Sequence, residues 1–228
     1  MRVAVIRHHE EDSAGFLAEG FEARGATLSV HLFPKPDPLP PLDGLDHVIL
    51  LGATCSVYDE GQNRGWIDAE LDWLRAADAA GVPVLGVCFG AQALAAAFGG
   101  RVEAAARKEI GWTMVDTVDP ALVPAGPWLE FHGDRSLPPS SARVLARNEI
   151  GVQAFALGRH LAVQFHPEVT PGIVEGWSRS DHEDMRRAGV TREELDPAPH
   201  AEIAARAAEI LFDGFAARAG LVAIASRT

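Results

Sequence analysis

The sequence predicts an α/β fold in which helices flank an open, mostly parallel sheet that gains an antiparallel extension in its C-terminal half. Two patterns support this prediction. Through the first hundred residues, short apolar runs of strand length alternate with segments of helical periodicity, which is typical of parallel βαβ units. After residue 101, strand-like segments follow one another with only turn residues between them, which favours antiparallel pairing.

The N-terminal half contains four apolar runs that we predict to be strands. They cover residues 3–6, 28–33, 47–51 and 84–87. Apolar side chains recur on neighbouring helical turns in residues 14–24 and 66–80, and an alanine-rich helix follows the fourth strand. The proline-rich residues 34–41 can neither pair in a sheet nor propagate a helix, so they form an extended connection.

The C-terminal half contains four further segments that we predict to be strands, at residues 112–118, 143–146, 153–157 and 160–165. The polar residues 178–200 predict a short helix and a loop, and the apolar periodicity of residues 201–219 predicts a closing helix. We interpret residues 1–228 as one domain, with a C-terminal helical extension that begins near residue 178.

The composition is that of an ordinary globular protein, with 47% hydrophobic and 23% charged residues. The net charge of −12 argues against nucleic acid or an anionic membrane as a partner, because either calls for a basic patch. No apolar run approaches the roughly 18–20 residues of a membrane span. The N-terminus does not have the pattern of a signal peptide, and we expect a cytoplasmic protein.

The sequence predicts no metal and no cofactor. Cys55 and Cys88 are the two cysteines, which is too few for a disulfide framework or a four-cysteine zinc site. Histidines and acidic residues cluster at positions 8–12 and 181–184. Adjacent side chains on an extended loop rarely converge on one ion, so we interpret both clusters as solvated loops.

Cys88 lies between Gly86 and Gly90, where the fourth predicted strand runs directly into a helix. This is the Gly-x-Nuc-x-Gly pattern of a nucleophile elbow, in which the glycines let the strand and helix backbones approach closely. The helix N-terminus favours a thiolate over a thiol. Cys88 is therefore predicted to be a covalent nucleophile. No elbow surrounds Cys55, which we interpret as a packing residue.

A cysteine nucleophile in acyl transfer needs a base, and the base needs an acceptor that orients it. His166 and Glu168 follow the last predicted strand and flank Pro167, whose ring fixes the turn. The carboxyl ends of strands gather at the edge where sites of α/β proteins lie. We expect Glu168 to accept a hydrogen bond from one ring nitrogen of His166 while the other nitrogen faces Cys88.

These motifs and several others match one family. The chain resembles the class I, triad-type glutamine amidotransferases, and among them the amidotransferase domain of GMP synthetase. The resemblance spans roughly residues 1–177 and is carried, in the family's order, by residues 51–59, 86–92, 108–112, 131–134, 148–155 and 164–168. It implies the flavodoxin-like fold of class I amidotransferases.

The resemblance implies hydrolysis of the side-chain amide of L-glutamine. Cys88 would attack the amide carbon and form a γ-glutamyl thioester. His166 would protonate the departing ammonia and then activate water, and Glu168 would orient His166. Gln92 matches a family position that contacts the glutamine, and the backbone at residues 133–134 (Gly133 and Asp134) matches the loop that receives its amino-acid end.

The oxyanion of this reaction needs preorganised hydrogen-bond donors. Elbow geometry makes the backbone N–H of Phe89 one donor, and family similarity assigns the second to the loop at Gly52 and Ala53. Here the chain departs from the family, which has Gly-Gly-Pro where this sequence has Gly52-Ala53-Thr54. Alanine disfavours positive φ and threonine lacks the rigidity of proline. We therefore expect altered loop geometry and a weakened or effector-dependent glutaminase.

Three functions stay open at this point. The leading one is an amidotransferase or glutaminase that supplies ammonia to a separate synthetase in trans, because the sequence lacks a Gly-x-x-x-x-Gly-Lys-Ser/Thr phosphate loop. The second is a γ-glutamyl hydrolase that uses the same triad on γ-glutamyl conjugates. The third is a non-catalytic binding or regulatory protein that keeps the fold, although the intact triad argues against it. The sequence leaves the oligomeric state open.

Overall fold

A computed structural model describes residues 1–180, 186 and 189–219 of the chain. Within these residues one open sheet contains ten strands. In chain order they are β1 (Arg2–Arg7), β2 (Thr27–Leu32), β3 (His47–Leu50), β4 (Val84–Val87), β5 (Arg101–Thr113), β6 (Asp116–Thr117), β7 (Trp128–Leu137), β8 (Arg143–Arg147), β9 (Val152–Leu157) and β10 (His160–Val163).

The sheet has a parallel part and an antiparallel part. Its main order is β2-β1-β3-β4-β10-β9-β7-β5, while β8 pairs with β9 and β6 pairs with β8. The strands from β2 to β10 are mutually parallel, and every pairing from β10 onward is antiparallel. This arrangement confirms the predicted fold class, including the antiparallel extension.

Helices cover both faces of the parallel part. They are α1 (Gly15–Glu22), α2 (Arg64–Ala79), α3 (Phe89–Ala97), α4 (Pro171–Ser180), α5 (Arg192–Leu195) and α6 (Ala201–Arg218), with short 3-10 turns at Gly61–Asn63 and Ala198–His200. Each of α1 and α2 follows one parallel strand and precedes the next, as in the predicted βαβ units, whereas α3 leads from β4 into the antiparallel part at β5. None of the helices in the described part of the chain is both long and apolar enough to cross a membrane.

Strand β1 shows how the sequence builds two cores. Its consecutive residues are buried, and alternate side chains point to opposite faces of the sheet. Val3 and Val5 pack into the core beneath α1 and α6, whereas Ala4 and Ile6 pack into the core beneath α2 and α3. A strand buried on both faces has to be apolar throughout, which explains why the parallel strands appear as uninterrupted apolar runs.

Two long strands differ from the sequence-based prediction. Strand β5 begins eleven positions before the predicted start at residue 112, and β7 was not predicted at all. Strand β5 is the last strand in the main order of the sheet, and its residues are exposed or half-buried. Because many of them are charged, the segment lacks the apolar pattern from which a strand is predicted. In β7 the polar residues Glu130 and His132 are buried in the middle of the strand, where apolar residues are the usual signal.

The closing helix α6 is part of the main core. Its Phe212 ring lies 4.5 Å from the ring of Phe21 on α1 in an edge-on contact, and Phe212 and Phe215 are both buried. The predicted boundary of a helical extension near residue 178 falls within α4. That residues 1–228 form a single domain stays a prediction. The cluster at positions 181–184 lies outside the described residues.

Two glycines permit the close contact between β4 and α3. A Cβ atom on Gly90 would lie 2.1 Å from the backbone oxygen of Leu50 on β3, and one on Gly86 would lie 2.5 Å from the backbone oxygen of Gly90. Real Cβ atoms essentially never approach an oxygen this closely, and both obstacles are backbone atoms that cannot rotate away. The helix therefore approaches the sheet to a distance that only glycine allows.

We predict that Gly90→Ala lowers the free energy of unfolding by about 3 kcal/mol, because the new methyl group forces α3 away from the sheet. Gly65 on α2 is the matched control, since a Cβ atom there would meet nothing within 4 Å. Gly65→Ala should leave stability unchanged or raise it by up to about 1 kcal/mol. Urea unfolding of the three proteins tests this, and equal stability of the two variants would contradict it.

Candidate active site

Cys88 occupies the sharp turn between β4 and α3. Its φ of 53° and ψ of −109° make it the one non-glycine residue with positive φ among the described residues. Such a conformation costs on the order of 1–3 kcal/mol and persists only where surrounding structure enforces it. The backbone N–H of Cys88 donates to the oxygen of Val163 on β10 at 2.9 Å, which fixes the turn against the neighbouring strand. The nucleophile elbow predicted from the glycine spacing is therefore present.

His166 lies at the same edge of the sheet as Cys88. Strands β4 and β10 are parallel neighbours with Val87 opposite Val163, so the residues that follow each strand meet at one carboxyl edge. The backbone N–H of His166 donates to the oxygen of Leu129 at 2.9 Å. The ring is nearly fully buried, and the indole of Trp177 on α4 packs edge-on to it at 4.7 Å.

Glu168 holds one side of the His166 ring. Its Oε1 lies 2.7 Å from His166 Nδ1, and both side chains are buried. Burial alone would lower the pKa of His166, but the charges of Glu168 and Cys88 outweigh it and raise that pKa well above 6.5. The ring is then positively charged at neutral pH. Its Nε2 is buried and has no partner with regular hydrogen-bond geometry in the described structure, but the Cys88 side chain interacts closely enough with the ring to contribute to the raised pKa.

A cleft with a volume of about 360 Å³ opens over this edge of the sheet, a size suited to a small molecule. All nine predicted site residues line it, and they come from separate segments of the chain. They are Gly52, Ala53, Cys88, Phe89, Gln92, Gly133, Asp134, His166 and Glu168. The structure thus brings the predicted residues together, while their individual roles stay predictions.

The loop after β3 lies directly against Cys88. A Cβ atom on Gly52 would lie 3.8 Å from Cys88 Cβ and 3.7 Å from His166 Cε1. Ala53 does not have positive φ, so the conflict expected between alanine and the loop geometry does not arise. Thr54 is exposed and lines the cleft. The substitution of Gly-Gly-Pro by Gly-Ala-Thr is therefore accommodated without backbone strain at Ala53.

The side chains of two expected substrate-binding residues have hydrogen-bond partners within the protein, although the contact expected from Asp134 is one of its backbone. Gln92 is buried on the first turn of α3 and donates from Nε2 to Oε1 of the buried Gln164 at 3.2 Å. Asp134 accepts hydrogen bonds from Ser56 Oγ at 2.5 Å and from Tyr58 Oη at 2.8 Å. The carboxylate of Asp134 thus ties β7 to the loop after β3 and fixes the width of the cleft.

A buried cluster that the sequence analysis did not identify lies beneath the cleft wall. His132 Nε2 lies 3.1 Å from Oε2 of Glu109 and 3.2 Å from Oε2 of Glu130, and its Nδ1 lies 2.8 Å from the backbone oxygen of Asp134. Burial would lower the pKa of His132, but the two carboxylates raise it to about 10. Burial also raises the pKa of Glu130.

The ligand atoms of Glu109, Glu130 and His132 lie within 4.8 Å of one another, which is close enough for a metal ion. The same arrangement also suits an imidazolium that compensates both carboxylates, since His132 Nε2 lies within 3.2 Å of each. We therefore interpret the cluster as a buried ion-pair network that anchors β7. The alternation of polar residues in the segment 130–134 is the signal that could have identified it.

The segment after β1 is only in part the solvated loop that we expected, because His9, Glu10 and Glu11 are exposed but the side chain of His8 is buried. His8 has a side chain only 4% exposed, and His9 and Asp12 line the cleft. Burial raises the pKa of Asp12, whose Oδ1 accepts a hydrogen bond from Trp177 Nε1 at 3.4 Å. Because β1 is parallel to β3, its carboxyl end reaches the same edge as the other site segments. That topology is the signal that places residues 8–12 in the site.

Cys55 is half-buried in the cleft wall. Burial and the nearby Asp59 raise the pKa of its thiol to about 11, so it is protonated at neutral pH. A protonated thiol is a poor nucleophile. The two cysteines of the chain thus differ in their surroundings, as expected.

We predict that His132→Leu lowers the free energy of unfolding at pH 7 by about 3–5 kcal/mol, because it leaves two buried carboxylates without a counter-charge. In the native protein the pKa of His132 is raised from 6.5 to about 10. Its stabilising contribution is therefore complete below pH 6.5 and is lost as pH rises through 10. The free energy of unfolding, measured with urea between pH 6.5 and 10, should fall more steeply with pH for the native protein than for the variant.

The control for this measurement is His31→Leu, since His31 lies on β2 and hydrogen bonds only to Ser29 among the described residues. This variant should follow the native pH dependence. Parallel curves for the native protein and His132→Leu would show that His132 does not carry a raised pKa.

Comparison with known proteins is consistent with this geometry. A glutamine-hydrolyzing GMP synthase of Thermomicrobium roseum is 40% identical over 132 residues, which cover 54% of this chain and 23% of that protein. A subunit of the glutamine-hydrolyzing GMP synthase of Saccharolobus solfataricus is 35% identical over 150 residues, covering 61% of this chain and 76% of that one. The chain spans about a quarter of the length of the first curated relatives it matches, 23–25%.

A solved structure has the same fold over nearly the whole chain. The glutamine amidotransferase of Thermotoga maritima superposes with a TM-score of 0.84 and 25% sequence identity, covering 96% of this chain and 98% of that one. The family model "Glutamine amidotransferase class-I" matches residues 14–175, which include every segment of the cleft except residues 9–13 and Trp177. The chain belongs to the class-I glutamine amidotransferase family.

Proposed function

We propose that this protein hydrolyses the side-chain amide of L-glutamine through a thioester on Cys88. The observation that carries the proposal is the buried pair of His166 and Glu168 beside the strained elbow of Cys88. Family membership supports glutamine as the substrate class, since the relatives are named as glutamine-hydrolyzing enzymes.

In the first half of the proposed reaction the Cys88 sulfur attacks the amide carbon. The C–S bond forms, and the amide C–N bond breaks after a tetrahedral intermediate. His166 gives its Nε2 proton to the departing nitrogen, which leaves as ammonia. Glu168 keeps the ring oriented throughout, because it accepts from Nδ1 at 2.7 Å.

In the second half the neutral His166 removes a proton from water, which attacks the thioester carbon. The C–S bond then breaks, glutamate leaves and Cys88 recovers its thiolate next to an imidazolium. In the thioester the charge of Cys88 is absent, but Glu168 still raises the pKa of His166 and thereby makes the ring a more effective base toward water.

Both halves develop negative charge on the former amide oxygen. The N–H groups of Phe89, at the start of α3, and of Ala53 are the proposed donors to this oxyanion. Each such donor contributes about 3–4 kcal/mol to transition-state stabilisation in acyl-transfer enzymes. At the other end of the cleft, the backbone of Gly133 and Asp134 is proposed to bind the amino-acid end of glutamine, and Gln92 to contact its chain.

The ammonia is proposed to serve a synthetase reaction on a partner protein. Support comes from the Saccharolobus relative, whose printed name describes one subunit of a GMP synthase. The chain has the amidotransferase part in common with the longer relatives, of which it covers about a quarter.

We predict that the protein releases ammonia from L-glutamine and that Cys88→Ala abolishes the release, because no other described group offers a thiolate at the elbow. Cys55→Ala is the matched control and should keep activity within about twofold, since its protonated thiol takes no part. Ammonia is measured by a coupled dehydrogenase assay, with and without candidate synthetases.

A glutamine-mimicking electrophile should label Cys88 and leave Cys55 unmodified, as mass spectrometry of the digested protein can show. Activity that survives the loss of Cys88, or labelling at Cys55, would contradict the proposed mechanism. Faster turnover of γ-glutamyl peptides than of glutamine would identify a γ-glutamyl hydrolase instead. Absence of turnover on both substrates, alone and with partners, would favour a regulatory role.

A further inference from the structure

His8 connects the carboxyl end of β1 to the loop after β3. Its side chain is 4% exposed, and that of its partner Glu70 on α2 is 1% exposed. His8 Nδ1 lies 2.7 Å from the backbone oxygen of Gly52, and His8 Nε2 lies 3.1 Å from Oε1 of Glu70. The rings of Trp66 and Phe89 pack against the imidazole at 5.4 and 5.1 Å.

The partners of His8 determine where its protons lie. A backbone carbonyl oxygen can only accept a hydrogen bond, so Nδ1 must carry a hydrogen and donate it to Gly52. Burial would lower the pKa of His8, but Glu70, with a smaller effect from Asp12, raises it. The imidazole is therefore charged over a wider pH range and makes a charge-assisted hydrogen bond to the loop.

The carbonyl that His8 holds belongs to the same peptide unit as the N–H of Ala53. The cis peptide bonds of the described chain all precede proline, so the Gly52–Ala53 peptide is trans. In a trans peptide the C=O and the N–H point in opposite directions. A hydrogen bond that fixes the direction of the Gly52 oxygen therefore also fixes the direction of the Ala53 N–H.

The Ala53 N–H is available for a ligand. It donates to no acceptor in the described part of the chain, and Ala53 lines the cleft. The adjacent Gly52 is close to the nucleophile, since a Cβ atom on it would lie 3.8 Å from Cys88 Cβ. A loop N–H without a partner beside a nucleophile suits an oxygen that becomes negatively charged during attack.

We propose that His8, held by Glu70, is a positioning residue that fixes the Gly52–Ala53 peptide so that the Ala53 N–H serves the oxyanion formed when Cys88 is acylated. This inference rests on the proposed covalent role of Cys88. It also accounts for the sequence Gly52-Ala53-Thr54, because a buried hydrogen bond supplies the rigidity that proline would otherwise give the loop. His8 touches neither the thiol nor the substrate in this role.

The test compares two variants of His8. His8→Asn places an amide nitrogen where histidine has Nδ1, so it can still donate to the Gly52 oxygen. His8→Leu fills the site without a donor. His47→Leu is the matched control, because His47 is equally buried, packs between Phe21 and Phe215, and has no hydrogen-bond partner in the described structure.

Three reactions of Cys88 separate positioning from other effects. Alkylation by iodoacetamide needs the thiolate but forms no oxyanion. Acylation by p-nitrophenyl acetate forms an oxyanion without requiring glutamine recognition. Glutamine hydrolysis needs the oxyanion and the recognition of glutamine. Each rate is corrected with the Cys88→Ala protein, which removes reaction at other groups.

We expect His8→Leu to lower the rate of acylation and the kcat for glutamine by about 10- to 100-fold, as small displacements of catalytic groups do. The KM and the alkylation rate should stay within about threefold of the native values. His8→Asn should recover most of the loss, and His47→Leu should behave as the native protein. Glu70→Gln keeps the imidazole of His8 but removes its negatively charged partner. This variant should lower the acylation rate and the kcat for glutamine by a smaller factor than His8→Leu.

Several results would overturn the inference. If the rates of alkylation and acylation fall equally, His8 acts on the thiol or on the fold. If His8→Asn and His8→Leu have equal activity, the hydrogen bond to the Gly52 oxygen is not the cause of the effect. Unchanged acylation in every variant would exclude positioning altogether. If His8→Leu does not fold, Glu70→Gln and His8→Asn still test the inference. Native protein that is acylated by the ester but leaves glutamine intact would reject the proposed substrate and not the role of His8.

Discussion

The parallel pairing of β4 with β10 is the constraint on which the site depends. It sets Val87 opposite Val163, so that the turn at Cys88 and the turn at His166 leave the sheet side by side. The Cys88 N–H also donates to the backbone oxygen of Val163 on β10. The same pair of strands therefore stabilises the strained turn at Cys88. The close approach of α3, allowed by Gly90, completes this arrangement from the other side. The backbone pairing thus positions Cys88, the proposed nucleophile, next to His166, the proposed base.

Buried histidines paired with carboxylates then organise the surroundings of Cys88. His166 pairs with Glu168, His132 with Glu109 and Glu130, and His8 with Glu70. In each pair a carboxylate raises the pKa of the imidazole against the effect of burial and so favours the charged form of the ring. In a chain with a net charge of −12, acidic side chains thereby favour protonated histidines around Cys88. Acidic side chains are the means by which this protein holds positive charge in its interior.

Local signals predicted the fold class and four of the nine expected site residues, which are Cys88, Phe89, His166 and Glu168. The other five site residues were expected from the resemblance to the family. Gly86 and Gly90 flank the nucleophile within five residues, and Pro167 separates His166 from Glu168. The contacts of His8 could not be predicted this way, because Gly52 and Glu70 lie 44 and 62 residues away in the sequence. Strand β7 was missed for a related reason: its buried polar residues are compensated by partners on another strand, and single-strand patterns do not reveal such partners.

The edge-on contact between Trp177 and His166 has an optical consequence. The indole lies 4.7 Å from an imidazole whose charge changes during the proposed reaction cycle. A protonated imidazole in contact with an indole quenches its fluorescence more strongly than a neutral one. Trp177 is also hydrogen-bonded to Asp12, which keeps the indole in this orientation. The protein therefore contains an intrinsic spectroscopic reporter of the protonation state of its proposed base, with no need for an added label.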